Sequence, residues 1–266
     1  MNACDLWQLQ PLNKQLLAGY KTFSTSLKNS VSSPTRDKLS CPFFIHLGPN
    51  YHTFEKKVFI VGKETAGWVW NEYPLGTSFN SFLDYTKSQP CRERLMMEAQ
   101  SECLIYMLEK ESRPFYRALK KISKTNNGTD FLNSGFVWDD LIAVDYKGGS
   151  IGKIPNSQKK EKDAIWAYSK EKLLMELNIA QPTDIIFFTG EDDNYDLCLE
   201  WILDLPFKVK NCPSLRLSNI VINDVKCFSW KGCRSAKPIQ CYRTHHPQRM
   251  RFLGKTNIID MLASLF

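Results

Sequence analysis

Three short apolar runs constrain this chain more than anything else in it: Val58-Phe-Ile-Val61, Phe136 to Val144, and Asp184-Ile-Ile-Phe-Phe-Thr189. Each is rich in β-branched or aromatic residues and ends in small or polar ones, the pattern of a strand buried on both faces. Between the second and third, Lys159 to Leu177 sets Ile165, Tyr168, Leu173 and Leu177 among many charges, which predicts a helix. A further strand pair is expected from Ile220 to Tyr242, where Val221, Asn223, Val225 and Cys227 fall at every second position. Strands separated by helical segments predict an α/β fold in three layers: a central, mostly parallel four-stranded sheet with helices on both faces. Chemistry in such sheets is expected just beyond the carboxyl ends of the strands.

At 266 residues and 43% hydrophobic, the chain has enough apolar material to bury a core. One domain over 1–266 is expected, with 1–50 as a helical N-terminal extension. In that extension Leu6, Leu9, Leu12, Leu16, Leu17 and Tyr20 recur at helical spacing, with Pro11 interrupting the start. No basic segment leads into an apolar stretch near Met1, and no window approaches the roughly 18 apolar residues of a membrane span. A cytoplasmic monomer without membrane contact is therefore expected. The nine cysteines are odd in number and lack the paired two-residue spacing of zinc or redox sites, so free thiols and no metal or cofactor are expected.

The formal net charge of +7 is unevenly spread. Val225 to Ile259 holds no Asp or Glu but eight positive residues, among them Arg243, Arg249 and Arg251, interleaved with Phe228, Trp230, Tyr242 and Phe252. A one-signed stretch with aromatics suits contact with a nucleic-acid backbone, although a solvated basic face has the same composition.

The residues after each predicted strand carry the chemistry. Gly62-Lys63-Glu64-Thr65 is not a phosphate-binding loop, because that motif needs a glycine where Lys57 stands. Acids after the strands allow a Mg²⁺-dependent nuclease with Glu64, Asp140 and Asp192 as ligands. The adjacent His245 and His246 before Pro247, followed by Arg249-Met250-Arg251, close the last apolar segment.

In order, Gly62-Lys63-Glu64-Thr65-Ala66, Trp138-Asp139-Asp140-Leu141, Phe188-Thr189-Gly190 and His246-Pro247-Gln248 resemble the motifs of the uracil-DNA glycosylase superfamily, over about 57–254. The resemblance implies that fold and a DNA glycosylase activity. Glu64 would orient water and balance the cationic sugar, and His246 would donate to the leaving base. Lys63 would help bind the base, Phe79 would be its stacking platform with Phe82 as the alternative, and Met250 would wedge into the duplex. Arg243, His245, Arg249 and Arg251 would hold DNA.

Two departures shape the expected substrate. Where the family has an Asn that reads uracil, Asp140 can only accept when ionised, which favours the exocyclic amino group of cytosine. Where the family has a Tyr that crowds the C5 face of the base, Ala66 leaves room for a substituent. A modified cytosine, hydroxymethylated or glycosylated as in some phage DNA, is thus the expected target, with antiviral defence as a role. The alternatives are a catalytically silent nucleic-acid-binding module of the same fold and the Mg²⁺ nuclease.

Overall fold

The computed structural model describes residues 11–64, 78–84, 93–101, 113–124, 134–190, 193–232 and 237–266. In chain order the elements are α1 (Pro11–Ser30), α2 (Ser33–Arg36), β1 (Val58–Glu64), α3 (Phe79–Asp84), α4 (93–101), α5 (Pro114–Lys124), β2 (Phe136–Ile142), α6 (Lys159–Ala180), β3 (Asp184–Phe187) and α7 (Asp193–Ile202). They continue with β4 (Ser214–Leu217), β5 (Ile220–Trp230), β6 (Ile239–Arg243), α8 (Pro247–Phe252) and α9 (Asn257–Ala263). The fold is α/β. No helix among the described residues is long and apolar enough to cross a membrane.

One sheet of six strands runs in the order β2-β1-β3-β6-β5-β4. β1, β3 and β6 are parallel neighbours, with Val61 opposite Phe187 and Phe187 opposite Arg243. Their cores, Val58-Phe-Ile-Val61 and Ile185-Ile-Phe187, are fully buried, as interior parallel strands are. The sheet is wider than the four strands expected. An antiparallel hairpin, β4 with β5, extends it beyond β6. β4 is only Ser-Leu-Arg-Leu, too short for alternation to be visible in sequence.

The chain divides into two compact units, built from the described parts of Met1–His46, Glu64–Ser101 and Asp139–Ile179, and of Leu47–Lys63, Glu102–Trp138 and Ala180–Phe266. In the first, α1 buries Leu16, Tyr20, Phe23 and Leu27, spaced four, three and four apart so that they share one face. Tyr20 stacks on Phe44 with ring centroids 4.1 Å apart, and Phe82 meets Phe44 edge-on at 6.1 Å. α1 and α6 approach closely at Gly19, where an added Cβ would lie 2.7 Å from Met175.

The first unit also holds a buried charge network. The Lys172 ammonium, on α6, donates to both Asp139 oxygens at 2.9 Å and to Glu176 at 2.8 to 2.9 Å, and the Tyr20 hydroxyl donates to Glu176 at 2.6 Å. Burial, then the Asp139 charge, raises the Glu176 pKa well above the carboxylate range, and burial with Glu176 does the same for Tyr20. One ammonium and one carboxylate balance, and the second carboxyl keeps its proton because two bare acids cannot share so dry a site.

Candidate functional site

The parallel register brings the ends of β1, β3 and β6 to one edge, and backbone bonds continue past the strands. Phe188 N–H donates to Val61 at 2.8 Å, Thr244 N–H to Phe187 at 2.9 Å, and Gly190 N–H to Thr244 at 3.0 Å. Lys63, Gly190 and the Thr244-His245-His246 segment therefore share this edge in the second unit. Gly190 has φ +80°, and a Cβ there would sit 3.3 Å from the Lys63 Cε and Nζ. The absent side chain leaves room for Lys63, whose ammonium lies 4.6 Å from the centroid of the Tyr195 ring at the start of α7.

His246 is the N-cap of α8, with Pro247 at the first helical position. Its ring lies parallel to Phe115 of α5, with centroids 5.3 Å apart and planes 4° from parallel. Phe115 in turn meets Trp138 at 5.2 Å and Phe188 at 6.2 Å, both edge-on. The Gln248 N–H donates to His246 Nδ1 at 3.3 Å, so the ring's proton belongs on Nε2. Burial, reinforced by the positive charge of Lys63, pushes the His246 pKa down to about 4. At neutral pH this is an uncharged imidazole presenting one N–H, a donor to any group that gains negative charge beside it.

Several expected contacts have other roles. Arg243 is buried, and its Nε and Nη2 donate at 2.8 and 2.5 Å to the two oxygens of Asp196 on α7, so it cannot hold DNA. His245 is also buried, with Nε2 3.4 Å from Asp224, which Lys255 contacts at 2.7 Å. Met250 is 0% exposed and is not available as a wedge. The reason is the single turn of α8: Pro247 and Met250, three apart, face inward, which turns Arg249, Arg251 and Phe252 outward, Phe252 74% exposed.

In the first unit Phe79 and Phe82 are fully buried and stack on each other at 5.9 Å, so both are core and not platforms. Asp140 is buried on β2, and its neighbour Asp139 belongs to the Lys172 network. Glu64 ends β1; its side chain, like Ala66 and Asp192, lies outside the described residues.

Sequence reasoning missed Phe115, Tyr195, Asp196 and Lys172. α5 was the readable signal for Phe115, because Ala118, Leu119 and Ile122 recur on one face amid basic residues, but nothing local ties that helix to His246. Compared with models of protein families the chain matches none, and no curated protein matches it.

Proposed function

We propose that this protein is a DNA glycosylase that extrudes one base, a modified cytosine, and hydrolyses the bond between that base and its sugar. The observation that carries the reading is the neutral His246, which offers Nε2–H at the strand ends within electrostatic reach of the Lys63 ammonium. Breaking an N-glycosidic bond leaves an electron pair on the departing base. A fixed N–H donor near a positive charge offsets that charge without first having to take up a proton.

The other half of the reaction builds positive charge on the sugar, and a carboxylate suits it. Glu64 is assigned that part, with the positioning of water, and Asp140 the reading of an exocyclic amino group; both roles rest on the order of motifs in the sequence. Arg249 and Arg251, both exposed, supply phosphate contacts. Phe252, standing out of the same turn, replaces Met250 as the apolar wedge.

The test incubates the protein, in EDTA, with DNA duplexes and single strands carrying uracil, cytosine, 5-hydroxymethylcytosine or its glucosylated form, and counts abasic sites by alkaline cleavage. Sites are expected on modified cytosine alone, and Glu64→Gln is expected to abolish them while DNA retention persists. Sites on uracil would sink the specificity. No sites on any substrate, with DNA still bound, would leave the silent binding module, or the Mg²⁺-dependent nuclease if strands break once Mg²⁺ is restored.

A further inference from the structure

A pocket of about 410 Å³ opens in the second unit among α5, α8 and α9, lined by Pro114, Arg117, Ala118, Lys121, Pro247, Arg251, Thr256 and Ile259. Its walls follow from helical spacing. Positions 114, 117, 118 and 121 are three, four and seven apart and share one face of α5, while Phe115 is turned about 100° away toward His246. Pro247 belongs to both places, as the residue after His246 and as a wall of the pocket. α8 and α9 both pack against α5, so the pocket is framed by three fixed elements.

The lining divides by chemistry. Lys121 pairs with Asp260, whereas neither Arg117 nor Arg251 has an acidic partner among the described residues. Two guanidinium groups held on different helices match the charge and the several acceptor oxygens of a phosphate. Pro114, Ala118, Pro247 and Ile259 supply the apolar part of the lining. The volume lies in the range of small-molecule sites and exceeds what a bare phosphate fills.

We propose that this pocket is a subsite for one nucleotide of the DNA strand, neighbouring the extruded one. Its phosphate is held by Arg117 and Arg251, and its sugar rests on the prolines, Ala118 and Ile259. The assignment of the nucleotide to a DNA strand rests on the glycosylase reading; the pocket's affinity for a nucleotide does not. Because Pro247 links the two places, the occupied subsite fixes the strand relative to His246 and sets which base is presented.

Isothermal titration calorimetry of the full chain with dTMP and, separately, with inorganic phosphate tests the pocket directly. Binding of dTMP is expected to weaken by about tenfold or more in Arg117→Gln/Arg251→Gln. It is expected to be unchanged in Lys159→Gln/Lys160→Gln, which removes the same charge from an exposed stretch of α6. Filter retention of an oligonucleotide at graded salt is expected to lose about one unit of log–log slope in the arginine variant alone. All four side chains are exposed, so both variants should keep the wild-type urea midpoint.

Failure of the wild type to bind dTMP, equal loss in both double variants, or inorganic phosphate binding as tightly as dTMP would each overturn the nucleotide subsite. Nucleotide binding through the arginines, combined with no abasic sites on any substrate, sinks the glycosylase reading and leaves the pocket standing. Abasic sites from a chain indifferent to dTMP do the reverse.

Discussion

His246 has its proton assigned from two directions: the Gln248 N–H occupies Nδ1, and burial with the Lys63 charge keeps the ring neutral down to about pH 4. Its donor role therefore predicts a base-excision rate with no inflection from this residue between pH 6 and 8, where an ordinary histidine would titrate. His246→Ala should lower the rate by about a hundredfold or more, as loss of one fixed donor does, with DNA retention within about threefold of wild type. A break in the rate profile near pH 6.5 would show that the charged ring is the active form. Arg243 calls for a different measurement. Asp196→Ala strands its buried guanidinium and should cost about 3–5 kcal/mol in urea unfolding, far more than an exposed pair would. His246 was legible in the sequence because a His-Pro pair after an apolar strand has little use in a core. Arg243 and Met250 were misread because a basic stretch was taken as uniformly outward, whereas one residue ends an interior strand and the other faces inward from a single helical turn.

Among the elements, β1, β2, β3 and the β5–β6 pair were readable because buried strands advertise themselves as short apolar runs. Their ends were less so: β1 runs on through Lys63 and Glu64, past the apolar residues, because β-pairing is settled by neighbours and not by composition. The same holds for α6, placed correctly as a helix although the buried Lys172 on it looked like one more solvent-facing lysine. The junction after β3 gives a test at this scale. Gly190→Ala meets both a positive φ and the Lys63 side chain, so it should cost about 1–2 kcal/mol and displace the ammonium from Tyr195. Excision should fall with it. Wild-type stability and rate in this variant would mean that the close approach is unimportant.

At the scale of the molecule, the α/β class followed from strands alternating with helices, but the division into two units did not, because each is assembled from three separated stretches of chain. Each unit holds one histidine of depressed pKa: the buried His46, pushed down to about 3 and 2.9 Å from Asn13, in the first, and the half-buried His246, pushed down to about 4, in the second. Below the unfolded value near 6.5 the unfolded chain takes up these protons and the folded chain does not, so stability falls with pH until the folded values are reached. Each ring should contribute a slope of up to about 1.4 kcal/mol per pH unit between pH 6 and 4.5. Urea unfolding across that range should show a slope shallower by up to about that amount in His46→Gln, whatever the other groups add, and an unaltered slope would remove His46 from the account. The aromatic packing behind His246 has one more consequence. Trp138, one of seven tryptophans in the chain, touches the phenyl ring on which that imidazole rests. An occupant of the strand ends that shifts this imidazole would alter the surroundings of an indole, so the difference in emission between wild type and Trp138→Phe would report, without any label, when the site is filled.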